Sequence, residues 1–104
     1  MPAGARRLPG LNPVSFETLT LDDSTAQGLN STSRTGSVIL FSVEGGGVHM
    51  RDDGTDPTNS TGVVFGVGSA PYFYSGDLGA VRFCRQGASG TSTVHLIAYR
   101  QPGD

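Results

Sequence analysis

Three carboxylates fall close together at Asp52, Asp53 and Asp56, and a cluster of that kind could hold a hard cation such as calcium through oxygen. An EF-hand loop needs alternating ligands, glycine at its sixth place and a bidentate glutamate at its twelfth. Counted from Asp52, the third, sixth and twelfth places hold Gly54, Pro57 and Val63. The EF-hand pattern therefore fails, which leaves a looser calcium site or no site. The other reading is mechanical. Asp53-Gly54 is a turn pair, since glycine reaches positive φ without steric cost and an aspartate bonds N–H groups just ahead of it. Asp56-Pro57 opens a second turn, because proline presets φ and removes a donor. On this reading Asp52, Asp53, Gly54, Asp56 and Pro57 build a structural turn whose charge Arg51 or Arg82 neutralises.

The other chemistry-bearing residues are scattered. A cupin metal site wants two histidines one residue apart after a glycine. Residues 47–51 supply His49, and Arg51 stands where the second histidine belongs. His49 and His95 both lie in strand patterns, where each reads as a half-buried imidazole with a backbone partner. The single cysteine, Cys84, excludes an internal disulfide and a cysteine-based metal cage. It sits in a strand pattern over residues 81–85 and reads as a small half-buried residue rather than a reactive thiol. No serine occupies a Gly-x-Ser-x-Gly elbow, and the paired carboxylates all cluster in turns. No catalytic residue, metal ligand set or cofactor follows. The sequons at Asn30 and Asn59 are chance in a chain so rich in Ser and Thr.

What remains is surface chemistry. Tyr72, Phe73 and Tyr74 are consecutive, and in extended chain neighbouring side chains point to opposite faces. In extended chain they cannot all enter one core, so at least one is expected to meet solvent or a partner; a Gly- and Pro-rich loop folded back on itself would instead bury all three. Aromatic residues and arginine are the usual anchors of interfaces. Arg6 and Arg7 lie in a segment, residues 1–13, that carries three prolines and two glycines and has no apolar period. It reads either as a disordered terminus or, in preference, as an extended arm that orders on a neighbouring subunit, with Arg6 and Arg7 pairing to carboxylates.

The elements that must position these residues are short strands. A chain of 104 residues is one domain with one core. Glycine is 16 of those residues, and no stretch is rich in the Ala, Leu, Glu and Lys that long helices need. Net charge is −2, and all seven basic residues are arginine, so the basic stripe required for nucleic acid is missing. No apolar run reaches membrane-spanning length, and no apolar signal core follows the first residues, so a soluble chain made in the cytoplasm is expected. Residues 15–21 alternate, with Leu19 and Leu21 inward. Residues 25–29 give a second short strand. Residues 37–43 form a near-continuous apolar run, which predicts a central strand buried on both faces. Strands follow over 48–51, 63–67, 81–85 and 93–100, with residues 45–47 as a turn and residues 86–90 as a hairpin loop. The spacing leaves no room for crossover helices. The expected fold is all-β, an antiparallel β-sandwich or jelly roll of about seven to eight short strands. The extended arm over residues 1–13 precedes a single β-sandwich domain over residues 14–104.

Several phrases in this frame carry a resemblance. They are Val43-Glu44, the strand Val48-His49-Met50-Arg51, the loop Asp53-Gly54-Thr55-Asp56-Pro57-Thr58, Gly62, Arg82-Phe83, and a last alternating strand ending near Tyr99. Residues 37–100, taken in that order, resemble a set of small structural proteins of tailed bacteriophages. The loop phrase is the most specific part, and the arm and the Gly45-Gly46-Gly47 stretch depart from the pattern. The resemblance implies a virion protein, first of all a capsid cement or decoration protein that binds the major capsid protein. A neck or tail component is the alternative, and no catalytic residue is implied. Symmetric sites on a shell would favour a homo-oligomer, a trimer or dimer, which would also cover unguarded strand edges. A glycan- or calcium-binding module using residues 52–56 and 72–74 is the reading from another class.

Overall fold

The structure, a computed structural model, describes residues 10–68 and 71–101. Among them are eight strands: β1 (Asn12–Leu21), β2 (Gln27–Gly28), β3 (Val38–Glu44), β4 (Val48–Arg51), β5 (Val63–Phe65), β6 (Tyr72–Ser75), β7 (Arg82–Arg85) and β8 (Ser92–Arg100). One 3-10 turn, Ser33–Thr35, joins β2 to β3. The strands form two four-stranded sheets, ordered β1-β8-β3-β6 and β2-β7-β4-β5. All the pairings are antiparallel.

The order has a simple origin. β1 pairs with β8, β2 with β7, β3 with β6 and β4 with β5. These pairs are nested, as in one long antiparallel ribbon folded at its middle. Rolling that ribbon adds the β3–β8 and β4–β7 pairings and closes the two sheets over one core, which is the jelly-roll arrangement. The acidic stretch, residues 52–62, joins β4 to β5 and is therefore the tip of the ribbon.

The core follows from strand alternation. Leu19, Leu21, Ile39, Phe41, Val43, Val94, Leu96 and Ala98 come from the first sheet and Val48, Met50 and Phe83 from the second, with Leu29, Leu78 and Val81 closing the sides. The ring of Phe41 lies 5.0 Å from that of Phe65 and 5.4 Å from those of Tyr72 and Phe83, so it ties the sheets together. At one end Glu17 accepts hydrogen bonds from the Asn30 N–H at 3.0 Å and the Ser33 hydroxyl at 2.5 Å, which fastens the loop before β3.

Several expectations need correction. β1 starts at Asn12, so the last two residues assigned to the arm are strand. A register shift between Pro13 and Ser15 lets proline, which cannot donate to the ladder, sit at a bulge beside the edge. Arg6 and Arg7 lie outside the described residues. Residues 72–75 form a strand, which flanking Pro71 and Gly76 concealed. β3 is central but not buried on both faces, because Leu40 and Ser42 are half-buried on an outer side that no element among the described residues covers. Residues 86–90 are not a hairpin loop. They carry the chain from the second sheet to the first, since β7 and β8 lie in different sheets.

Cys84 is fully buried rather than half-buried. Its thiol approaches the Ser24 carbonyl at 3.5 Å, because the 22–26 segment lies against this side of β7. Burial pushes the thiol pKa up, and neighbouring Arg85 opposes this only in part. Cys84 is therefore expected to stay silent toward a disulfide-exchange reagent in native protein and to react fully after unfolding in denaturant. Equal labelling rates in the two states would show that this side of β7 is open.

Candidate interaction surface

The ribbon tip engages its own carboxylates separately. Arg51 clamps Asp53 in a bidentate pair at 3.0 and 2.5 Å, and the Thr55 N–H donates to Asp53 Oδ1 at 3.3 Å. The Arg51 guanidinium holds the Asp53 carboxyl below its usual range. Asp56 is paired with Arg82 at 3.4 Å, and the Tyr74 hydroxyl donates to Asp52. The three carboxylates thus point to three partners rather than to one ion. Gly54 has φ of +87° and Pro57 is buried, while reciprocal Thr58–Thr61 backbone bonds close a second small turn. The Gly87 N–H donates to Asn59 O at 2.8 Å, fixing the tip to the arch before β8. An open hollow of ≈ 440 Å³ lies beside the tip, lined by Met50, Arg51, Asp52, Asp53, Val63 and Tyr74 among others.

Tyr74 reports on this arrangement. Burial, and after it the hydrogen bond to Asp52, push its pKa up from 10.0 to about 12. A raised folded pKa means the folded chain holds this proton more tightly than the unfolded chain. The contribution is complete below pH 10.0 and is lost as pH rises toward about 12. Wild-type stability is therefore expected to fall across that window more steeply than that of Tyr74→Phe, by denaturant titration at stepped pH. Parallel curves would mean that Tyr74 titrates normally in the fold.

Arginines also bind backbone carbonyls. Arg85 donates to the carbonyls of Asp22, Gly90 and Ala88 at 2.7 to 2.9 Å. Arg82 reaches Ala26 O at 3.1 Å and Arg34 reaches Leu29 O at 2.7 Å. The forked guanidinium, with five donors, can staple loops to strands as lysine cannot. The histidines also differ from expectation. His49 is buried in β4, with its Nδ1 unpartnered among the described residues. His95 bonds side chains instead of backbone, Glu44 at 2.7 Å and Thr18 at 3.2 Å.

The aromatic trio divides as strand geometry requires. Tyr72 and Tyr74 pack against the core, and the Tyr72 hydroxyl meets Gly66 N and O at 3.2 Å. Phe73 points away and is 55% exposed. It does not stand alone. Phe73 pairs across with Leu40, Leu40 with Ile97, and Ile97 with Phe16. These four residues make an apolar row across all four strands of the first sheet, on its outer face. Phe16 is 66% exposed, while Leu40 and Ile97 are half-buried between the two rings. A trough of ≈ 170 Å³ runs beside the row, lined by Phe16, Leu40, Ser42, Pro71, His95 and Ile97. Sequence reading missed Phe16, Leu40 and Ile97. The available signal was parity, since Phe16 is out of phase with Leu19 and Leu21, and Ile97 with Leu96 and Ala98.

The second sheet is treated differently. Its outer side is covered near Cys84 by the 22–26 segment, and near His49 by the tip, where a Cβ on Gly62 would stand 2.9 Å from the His49 Cβ. Its edge strand β5 leaves Val63 and Val64 exposed at 60% and 53%. Fold and surface together define an eight-stranded antiparallel sandwich with one apolar sheet face that none of the described residues covers. Comparison with protein-family models, with curated proteins and with solved structures finds no match.

Proposed function

We propose that this chain is a virion structural protein of a tailed phage, a cement or decoration subunit that binds and stabilises the major capsid shell. The observation that carries the assembly reading is the apolar row Phe16–Ile97–Leu40–Phe73 on a face that none of the described residues covers. Contiguous exposed apolar surface of this kind marks interaction sites, with aromatic residues as anchors. The edge strand β5 adds support, for its exposed valines carry none of the charge or proline that guards a free edge. The virion setting rests on the resemblance over residues 37–100. The jelly roll alone does not choose it, because the same architecture serves capsid, lectin and cupin domains. In this reading the chain does no catalysis and binds neither nucleic acid nor membrane, and it works as a homo-oligomer at symmetric sites.

The test is the copy number of the chain in gradient-purified particles of the phage that encodes it, by quantitative mass spectrometry against the major shell protein. A simple fraction of the shell protein's number is expected. A trace amount would move the chain to the neck or tail, and absence from particles would overturn the virion reading. The hollow beside Asp52 and Tyr74 favours a second reading, a glycan-binding module. That module requires thermal protection by a glycan, which the structural reading does not expect.

A further inference from the structure

We infer that two copies of this chain pack face to face through the outer surface of the first sheet, about a two-fold axis running along the strands between β8 and β3. The inference rests on the reading of the apolar row as an assembly surface and names its first partner.

The row is chemically palindromic. From β1 to β6 it reads phenylalanine, isoleucine, leucine, phenylalanine. A two-fold axis through its centre places Phe16 of each copy over Phe73 of the other, and Ile97 of each over Leu40 of the other. Aromatic meets aromatic and aliphatic meets aliphatic, twice, which is the self-complementarity an isologous interface demands. A partner of another kind would have no reason to require this symmetry. The relief fits as well. The proud rings stand at the two ends, about 14 Å apart across three strand spacings, and the aliphatic centre is recessed. Stacked sheets cross at about 30°, so each ring slides beside its counterpart instead of colliding with it. The trough beside the row gives the rings that room.

Charge is sparse on this face. Beside the row Glu44 and His95 hydrogen-bond each other at 2.7 Å, and Tyr99 is the other ionisable side chain among the described outward positions. The surrounding positions are Thr18, Ser42, Pro71 and Thr93. Among the other described outward positions of this sheet there is no further carboxylate and no arginine.

Area sets the strength. Phe16 and Phe73, at 66% and 55% exposed, hold about 240 Å² of uncovered ring surface if a phenylalanine side chain offers about 200 Å². The two-fold sets β1 over β6 and β8 over β3, so the shorter strand of each pair, of 4 and 7 residues, limits the overlap to a plan area of about 350 Å² per copy at ordinary strand rise and spacing. Two copies together bury about 700 Å², below the standard size and in the range of weak, transient contacts. The dimer is therefore a reversible, concentration-dependent one.

The test is sedimentation equilibrium of the purified full chain over a dilution series. The wild-type mass is expected to rise with concentration toward twice the 10.8 kDa chain mass. Phe16→Glu and Phe73→Glu, both at exposed positions, are each expected to raise the dimer dissociation constant at least about tenfold while leaving the circular dichroism spectrum unchanged. Val64→Glu, on the β5 edge, is expected to leave it unchanged. A monomer at every concentration would overturn the inference, as would a dimer lost with Val64→Glu and kept with Phe16→Glu. The two readings fail separately. A monomeric chain that still loads onto particles through Phe73 sinks the dimer and spares the assembly role. A Phe16-dependent dimer that is absent from particles does the reverse.

Discussion

Replacing Phe41 by alanine is expected to lower the unfolding free energy by about 3–5 kcal/mol. The ring is 1% exposed, and its neighbours come from both layers: Tyr72 from its own sheet, Phe65 and Phe83 from the facing one. Truncation removes the apolar transfer term and leaves a cavity that two hydrogen-bonded sheets cannot easily close. Edge-to-face contacts with Phe65 and Phe83 add to the loss. A domain of this size has about 5–15 kcal/mol in total, so the variant is expected to sit near its unfolding threshold. Denaturant titration at a concentration low enough to hold the chain monomeric measures the effect. Phe16→Ala supplies the internal comparison, because that ring is on the outer face of the same sheet and 66% exposed. It is expected to change stability by no more than about 0.5 kcal/mol. If the two substitutions cost the same, the faces of β1 and β3 have been exchanged.

That comparison also shows where sequence alternation carries information and where it does not. Leu19 and Leu21, and again Val94, Leu96 and Ala98, are spaced by two, and all are buried. Strand number, antiparallel pairing and the sandwich followed from such spacing together with glycine-rich breaks. In β3 the run Val38-Ile39-Leu40-Phe41 is apolar at every position, so period two is invisible and the pattern places Leu40 in the core. The sheet faces opened only when Leu40 was seen opposite both Ile97 and Phe73. Loop chemistry has a similar limit. Residues 45–47 and 86–90 are both glycine-rich, and a glycine-rich break looks the same whether the chain turns back within a sheet or crosses to the other. Long-range partners were least legible. Asp52 meets Tyr74 and Arg85 meets Asp22, pairings set by the rolled ribbon and not by any local pattern. The tip turn was legible because Asp53-Gly54 carries its own geometry, and Gly54 adopts it.

The second large effect is expected at Gly45, with Gly54 as its measure. Both glycines have left-handed backbone, φ of +84° and +87°, so alanine at either meets the steric cost of a Cβ in that region, about 1–2 kcal/mol. Their surroundings differ. Around Gly54 no atom lies within 4 Å of the place a Cβ would take, so Gly54→Ala is expected to cost the strain alone. At Gly45 the Cβ would stand 2.5 Å from the Thr91 carbonyl oxygen. That contact is with backbone, which has no rotamer through which to yield. Thr91 leads directly into β8, which pairs with both β1 and β3, and Ser92 there bonds Gly47 O at 2.8 Å. Making room must shift the start of the strand that holds the first sheet together, at a cost of about 1–3 kcal/mol beyond the strain. Gly45→Ala is therefore expected to destabilise by about 2–5 kcal/mol in all, clearly more than Gly54→Ala in the same denaturant series. Equal losses would mean that the crossing from β3 to β4 stands clear of β8. The close approach of the two chain crossings at this end of the sandwich would then be wrong, while the turn at the ribbon tip would stand.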